Sequence, residues 1–244
     1  MTDAVASNGP IQLPPLYGRL EPLTLEAHRA LRIKDAGFGF AASLSAIPLA
    51  AEEFIPAARH LPIVFAADAP HMPVALTALK PGTSLFVEGD AWRAGAYVPA
   101  YLRRFPFFLV RVREGSDELA LCLDPNAPQV TTEGGQALFD AGDQPTDTAR
   151  RAFDFTRAVE GAFVKTREMV GRLSELGLLA PATAEVQQGG RPLRIDGFHA
   201  VQREALGKLT PDQLAELRDK GWLDCIYAHL FSMGAIPELA ARTA

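Results

Sequence analysis

Apolar positions recur at helical spacing most regularly between residues 148 and 176. Ala152, Phe155, Val159, Ala162, Phe163, Val170, Leu173 and Leu176 fall on one face at a period of about 3.6 residues. Arg151, Asp154, Lys165, Glu168, Arg172 and Glu175 cover much of the rest, and Glu168 and Arg172 stand four apart, the spacing of a helical ion pair. The pattern predicts a long amphipathic helix, with Thr148 as its N-cap and Gly177 as its stop.

Elsewhere the pattern is shorter in range. Residues 51–60 suit a short helix that must end before Pro62, because a proline ring disfavours helical backbone in the residue before it. Ile63-Val64-Phe65-Ala66 reads as a strand. Residues 74–79 and 84–87 read as two more, joined as a hairpin by Lys80-Pro81-Gly82-Thr83. Proline followed by glycine suits the two central positions of a type II turn. Pro99 opens a short helix through Tyr101-Leu102-Arg103-Arg104, and Pro106 closes it.

Residues 107–112 and 119–123 form a further strand pair around Glu114-Gly115-Ser116-Asp117. The run Leu119-Ala120-Leu121-Cys122-Leu123 is apolar at every position, as expected of a central strand covered on both faces. Residues 125–147 read as a loop around a brief apolar turn at Ala137-Leu138-Phe139. A polar turn at Gln187-Gln188-Gly189-Gly190 precedes a short strand near Leu193-Arg194-Ile195, with residues 198–201 beside it. Thr210-Pro211-Asp212-Gln213 combines an N-cap, a first-position proline and a capping box. That helix stops near Gly221, and a last apolar helix spans residues 222–233 and ends at Gly234.

These elements predict an α+β fold. A mixed, largely antiparallel sheet in the N-terminal half packs against a C-terminal helical segment. Residues 1–16, broken by Gly9, Pro10, Pro14 and Pro15, read as a flexible tail. Residues 17–244 read as a single domain, with a sheet-rich part over 17–130 and a helix-rich part over 147–244. A ligand pocket is expected between the sheet and the C-terminal helices.

Composition narrows the function. The net charge of −5 argues against nucleic acid as a partner and against a polybasic membrane anchor. No apolar run is long enough to span a bilayer, so membrane insertion is not expected. The first ten residues carry neither the basic nor the apolar region of a secretory signal, and the expectation is a soluble, cytoplasmic protein. Cys122 and Cys225 lie in apolar runs far apart, which predicts two buried free thiols.

Several segments together resemble the SapC family of bacterial proteins. They are Ala46-Ile47-Pro48-Leu49 with Glu53-Phe54, Leu61-Pro62-Ile63-Val64-Phe65 and Ser84-Leu85-Phe86-Val87. The fullest is Tyr97-Val98-Pro99-Ala100-Tyr101-Leu102-Arg103-Arg104-Phe105-Pro106-Phe107. Gly221-Trp222-Leu223 and Ile226-Tyr227-Ala228-His229-Leu230-Phe231-Ser232 complete the set, so the likeness covers about residues 17–240. Gly197-Phe198-His199-Ala200-Val201-Gln202 is less acidic than the family's stretch there. The resemblance implies no cofactor and no catalytic residue. The family name is associated with surface layers, which keeps a structural or assembly role open.

Candidate chemistry is sparse. Phosphate loops, nucleophile elbows and HExxH are absent, and Gly37-Phe38-Gly39 is too short to read as a phosphate loop. Arg103-Arg104, flanked by Tyr101 and Phe105, can hold an anion or pair structurally with a carboxylate. Trp92, Tyr97, Tyr101, Arg103 and Arg104 are the candidate ligand-binding residues, for a small molecule, a peptide or a partner protein. Asp68 and His71 follow a strand end and offer an alternative metal or acid–base site if Glu53, His60 or Asp90 joins them. The competing reading is a polar turn. Cys225 and His229 share a helix face, which allows a thiol–imidazole pair or a buried, hydrogen-bonded histidine. The expected function is a non-catalytic binding or accessory protein, with no cofactor.

Overall fold

The long helix that the apolar spacing demands runs Asp147–Glu175 in this computed structural model, which describes residues 13–112 and 118–242. Thr146, rather than Thr148, caps it. Thr146 has extended backbone, and its hydroxyl accepts from the Ala149 N–H at 3.4 Å. At the other end Gly177 takes φ +65°. Its N–H donates to Ser174 O, and the Leu178 N–H donates to Leu173 O at 2.9 Å. This double closure needs a left-handed residue, which glycine supplies without strain. Most of the expected tail and the turn at residues 114–117 lie outside the described residues.

The main sheet has five antiparallel strands in the order Leu179–Gln188, Arg191–Val201, Ile63–Ala66, Pro73–Leu76 and Ala46–Pro48. Its two longest strands come from the part expected to be helical. They form a hairpin closed by Gly189 and Gly190, both at positive φ as a type I′ turn requires. The outer strand, Leu179–Gln188, escaped the sequence reading because Pro181, Ala182, Ala184 and Glu185 are poor strand formers. It lies at the edge of the sheet, where a proline costs no ladder bond on its open side.

The expected hairpin between residues 74–79 and 84–87 does not form. Pro73–Leu76 lies between Ile63–Ala66 and Ala46–Pro48, so both its edges are taken. The Lys80–Thr83 turn survives, with Gly82 at φ +87° and the Leu85 N–H donating to Thr77 O. The chain then pairs Val87–Glu88 with Ala91–Trp92 instead.

A second sheet places Leu119–Leu123 between Glu21–Pro22 and Phe107–Arg111, the central position its apolar run predicts, but it is not covered on both faces: Cys122 and Leu123 are buried, whereas Leu119, Ala120 and Leu121 are half-buried. The expected loop over residues 125–147 contains two brief strands, Val130–Thr131 and Gln136–Ala137, both paired with Arg32–Ile33. The capping box at Thr210 is present and starts helix Pro211–Asp219. Helix Trp222–Ser232 follows it, and a further helix covers Ile236–Arg242.

One core joins the two parts. Phe54, Leu61, Ile63 and Phe65 pack with Met169, Val170 and Leu173 of the long helix and with Leu217, Ile226 and Leu239 of the last helices. Each such side chain contributes about 1.5–3 kcal/mol by leaving water. The space between sheet and helices, where a pocket was expected, is therefore filled by these side chains.

Candidate functional site

The segment richest in candidate residues folds as a bend and a single helical turn. Pro99 is the N-cap of Ala100–Arg103, and Arg104 closes it. Successive residues of such a turn point in different directions, and the two arginines separate.

Arg104 points inward and is 3% exposed. Its guanidinium lies over the rings of Phe108 at 4.3 Å and Tyr101 at 4.6 Å, and it pairs with Glu160 of the long helix. The ring faces and the carboxylate offset the loss of water around the cation. Tyr101 donates to Pro15 O at 2.6 Å, and Tyr17 donates to Phe107 O at 2.7 Å. Burial pushes the Tyr101 phenol up to about 12 and raises Tyr17 as well, so both remain neutral donors. This cluster clamps the Ala100–Arg103 turn to the long helix and to the chain near Pro15. Arg104 and Tyr101 are interior residues, and replacing Arg104 bears on the fold before any ligand.

Arg103 points outward. Its Nε donates to Val98 O at 3.1 Å, its Nη2 to the Tyr97 hydroxyl at 3.3 Å, and its plane lies 5.3 Å from the Phe155 ring centre. Tyr97 in turn donates to Glu53 Oε1 at 2.9 Å, and Trp92 Nε1 donates to Tyr97 O at 3.2 Å. The Tyr97 phenol is pushed up to about 12, first by burial and then by Glu53. Glu53 is buried and fully engaged, accepting also from Ala100 N at 2.6 Å and from Ala50 N at 3.0 Å. Its role is to hold three backbone and side-chain donors in place.

Beside Arg103 opens a cavity of about 390 Å³. Phe38, Phe40 and Phe105 form its apolar wall, with Phe40 stacked on Phe105 at 4.6 Å. Lys34, Asp35, Gln136 and Thr148 supply further polar groups. Gln129, 7% exposed, is among the residues around it; its Oε1 is buried out of reach of solvent and has no hydrogen-bond partner among the described residues. An unpaired buried carbonyl costs about 1–3 kcal/mol.

Gln129, Lys34 and the two phenylalanines were not singled out in the sequence. Their signal was Gly37-Phe38-Gly39-Phe40 itself. A Cβ on Gly37, at φ +62°, would collide with Asp90 O, and one on Gly39 with Asp90 Oδ1. The glycines let this strip press onto Asp90, whose carbonyl accepts the Phe38 N–H at 2.7 Å. The rings are thereby turned toward the cavity, with Phe38 also 5.8 Å from Trp92.

The alternative sites are assembled differently. His71 sits in a turn at φ +57°, its N–H donating to Asp68 O and its Nδ1 bonded to Ala66 O at 2.9 Å. Its ring lies on His199 at 4.2 Å, a neighbour the sequence did not suggest. Burial and the neighbouring His71 lower the His199 pKa. Glu53 is engaged in its own network, Asp90 lies beneath Gly37, and the described residues contain no group of three His, Cys, Asp or Glu suited to a metal.

Cys225 and His229 do not pair. Burial pushes the Cys225 thiol up to about 11 and brings His229 down to about 4. Both imidazole nitrogens are used, Nδ1 on Ile63 O at 2.8 Å and Nε2 on the Val201 N–H at 3.1 Å. Neither is left to take a proton from sulfur. Cys122 and Cys225 are both free thiols, with Cys122 buried and Cys225 half-buried.

A family model described as SapC matches residues 23–239. The chain belongs to the SapC family. No curated protein and no solved structure matches it. In this SapC-family chain the segment Tyr97 to Phe107 serves two ends: Arg104 and Tyr101 anchor it from within, while Tyr97 and Arg103 form an outward edge beside the cavity. Among the described residues no helix is long and apolar enough to cross a membrane.

Proposed function

We propose that this SapC-family chain is a non-catalytic binding protein for a small organic acid, held in the cavity beside Arg103. The observation that carries the reading is the cavity's lining, in which the rings of Phe38, Phe40 and Phe105 stand beside the cations of Lys34 and Arg103. A ligand that fits has a flat apolar body for Phe38, Phe40 and Phe105 and a carboxylate for Lys34 and Arg103. The cavity size suits a small ring system, at the lower end of ordinary ligand sites. No nucleophile–base pair has formed from the candidate residues, and the three shifted tyrosines favour their neutral forms. A cytoplasmic setting belongs to the same proposal; two free thiols and a net charge of −5 support it.

The test is ligand-observed NMR with a panel of indole and pyrrole carboxylates. Binding by the native protein is expected. Lys34→Gln should weaken it about tenfold while leaving thermal stability unchanged, because an exposed cation is removed from the carboxylate's side of the cavity. Arg103→Gln should weaken it by a similar factor. A panel that shows no binding, or variants that bind as the native protein does, would refute the proposal.

A further inference from the structure

Among the described residues, three of the seven exposed large apolar side chains gather in one place: Ile55 at 62%, Tyr227 at 43% and Phe231 at 70% exposure. They belong to two neighbouring helices, Phe54–Ala57 and Trp222–Ser232. On the latter, Asp224, Tyr227 and Phe231 follow one another at three and four residues, so they share a face. The opposite face carries Ile226 and His229 into the core. Tyr227 and Phe231 stack at 6.3 Å, which presents a firm aromatic ridge to solvent. Between the two helices lies an open groove of about 450 Å³. Its rim carries one exposed cation, Arg59, and one exposed anion, Asp224, and among the described residues no ion pair joins them.

We infer that this face is the contact between two copies of the chain, related by a twofold axis. The charge pattern selects this occupant. A nucleic acid or a strongly charged peptide would need a rim of one sign. Here the signs are opposite and balanced, so the surface is complementary to itself. An axis passing between Arg59 and Asp224 sets each against the other residue of the second copy, and the pairing occurs twice. Phe231 lines the same groove as both charges, so the contact covers it as well. The apolar centre and charged edges follow the anatomy of a protein–protein contact. Neither this face nor its residues belong to the cavity beside Arg103, so the inference stands independently of the proposed ligand.

Sedimentation velocity of the full chain from about 1 to 200 µM, at low salt, tests it. The native protein should pass from monomer to dimer across that range, and Phe231→Ser should remain monomeric. Arg59→Glu places two acids together and Asp224→Arg two bases; each should weaken the dimer at least about tenfold. The double exchange restores opposite charges and should return the dimer to within about threefold of the native protein. Circular dichroism confirms that each variant is folded. A native protein that stays monomeric throughout would overturn the inference and leave the face to an unlike partner. A dimer untouched by Phe231→Ser, or a double exchange that fails to recover while folded, would overturn it equally.

Discussion

Acidification should loosen this protein through one residue, His229. Its side chain is fully buried and bridges three elements. From helix Trp222–Ser232 its Nδ1–H donates to Ile63 O, and its Nε2 accepts from the Val201 N–H in the adjacent strand. This arrangement fixes the tautomer: a second proton would put Nε2–H against Val201 N–H, donor facing donor. Burial is the main cause that lowers its pKa from 6.5 to about 4, and the Ile63 carbonyl partly opposes the shift. The unfolded chain therefore binds a proton near pH 6.5 that the folded chain refuses until near pH 4. Between those values the unfolded state carries more protons, so stability falls as the pH falls. The difference of about 2.5 pH units, at about 1.4 kcal/mol each, amounts to about 3 kcal/mol. That is a large share of the ~5–15 kcal/mol that holds a typical domain folded. Urea unfolding followed by tryptophan fluorescence at half-unit steps from pH 7 to 4 measures it. The comparison is with His229→Gln, which lacks the imidazole. The variant should be less stable at pH 7, yet the gap between the two proteins should narrow by about 3 kcal/mol at pH 4. Parallel curves would refute the reasoning, because the other histidines contribute equally to both.

Two further predictions concern the clusters beneath the site. Arg104→Ala should cost about 3 kcal/mol in urea unfolding, since it leaves Glu160 without its partner and opens space among the rings. Replacing the pair together, as Arg104→Met with Glu160→Leu, should recover most of that loss, because an apolar pair needs no desolvation. Glu53→Gln turns one of two acceptor oxygens into a donor facing donors already present. It should lower stability by about 1.5–3 kcal/mol, read as a fall in Tm, more than the near-isosteric shape suggests.

The amino-acid order alone determined whatever depends on neighbours within one turn of chain. Helical periodicity placed Asp147–Glu175 to within a residue or two, and Gly177 and Thr210 marked boundaries that local hydrogen bonding enforces. The clustering of Tyr97, Arg103, Arg104 and Trp92 was legible too, because those residues lie on one short stretch of chain. Which arginine faces water was not. That depends on Glu160, 56 residues away, and on rings brought from the long helix and the second sheet. The strand Leu179–Gln188 was invisible for the same reason: its residues have little strand preference of their own, and only the edge offered by Arg191–Val201 makes it one. The buried, unpaired carbonyl of Gln129 and the two bonds of His229 to Ile63 and Val201 likewise exist only after distant segments meet. Backbone rules act over a few residues, whereas burial and the choice of hydrogen-bond partner are decided by whichever surfaces the whole chain brings together.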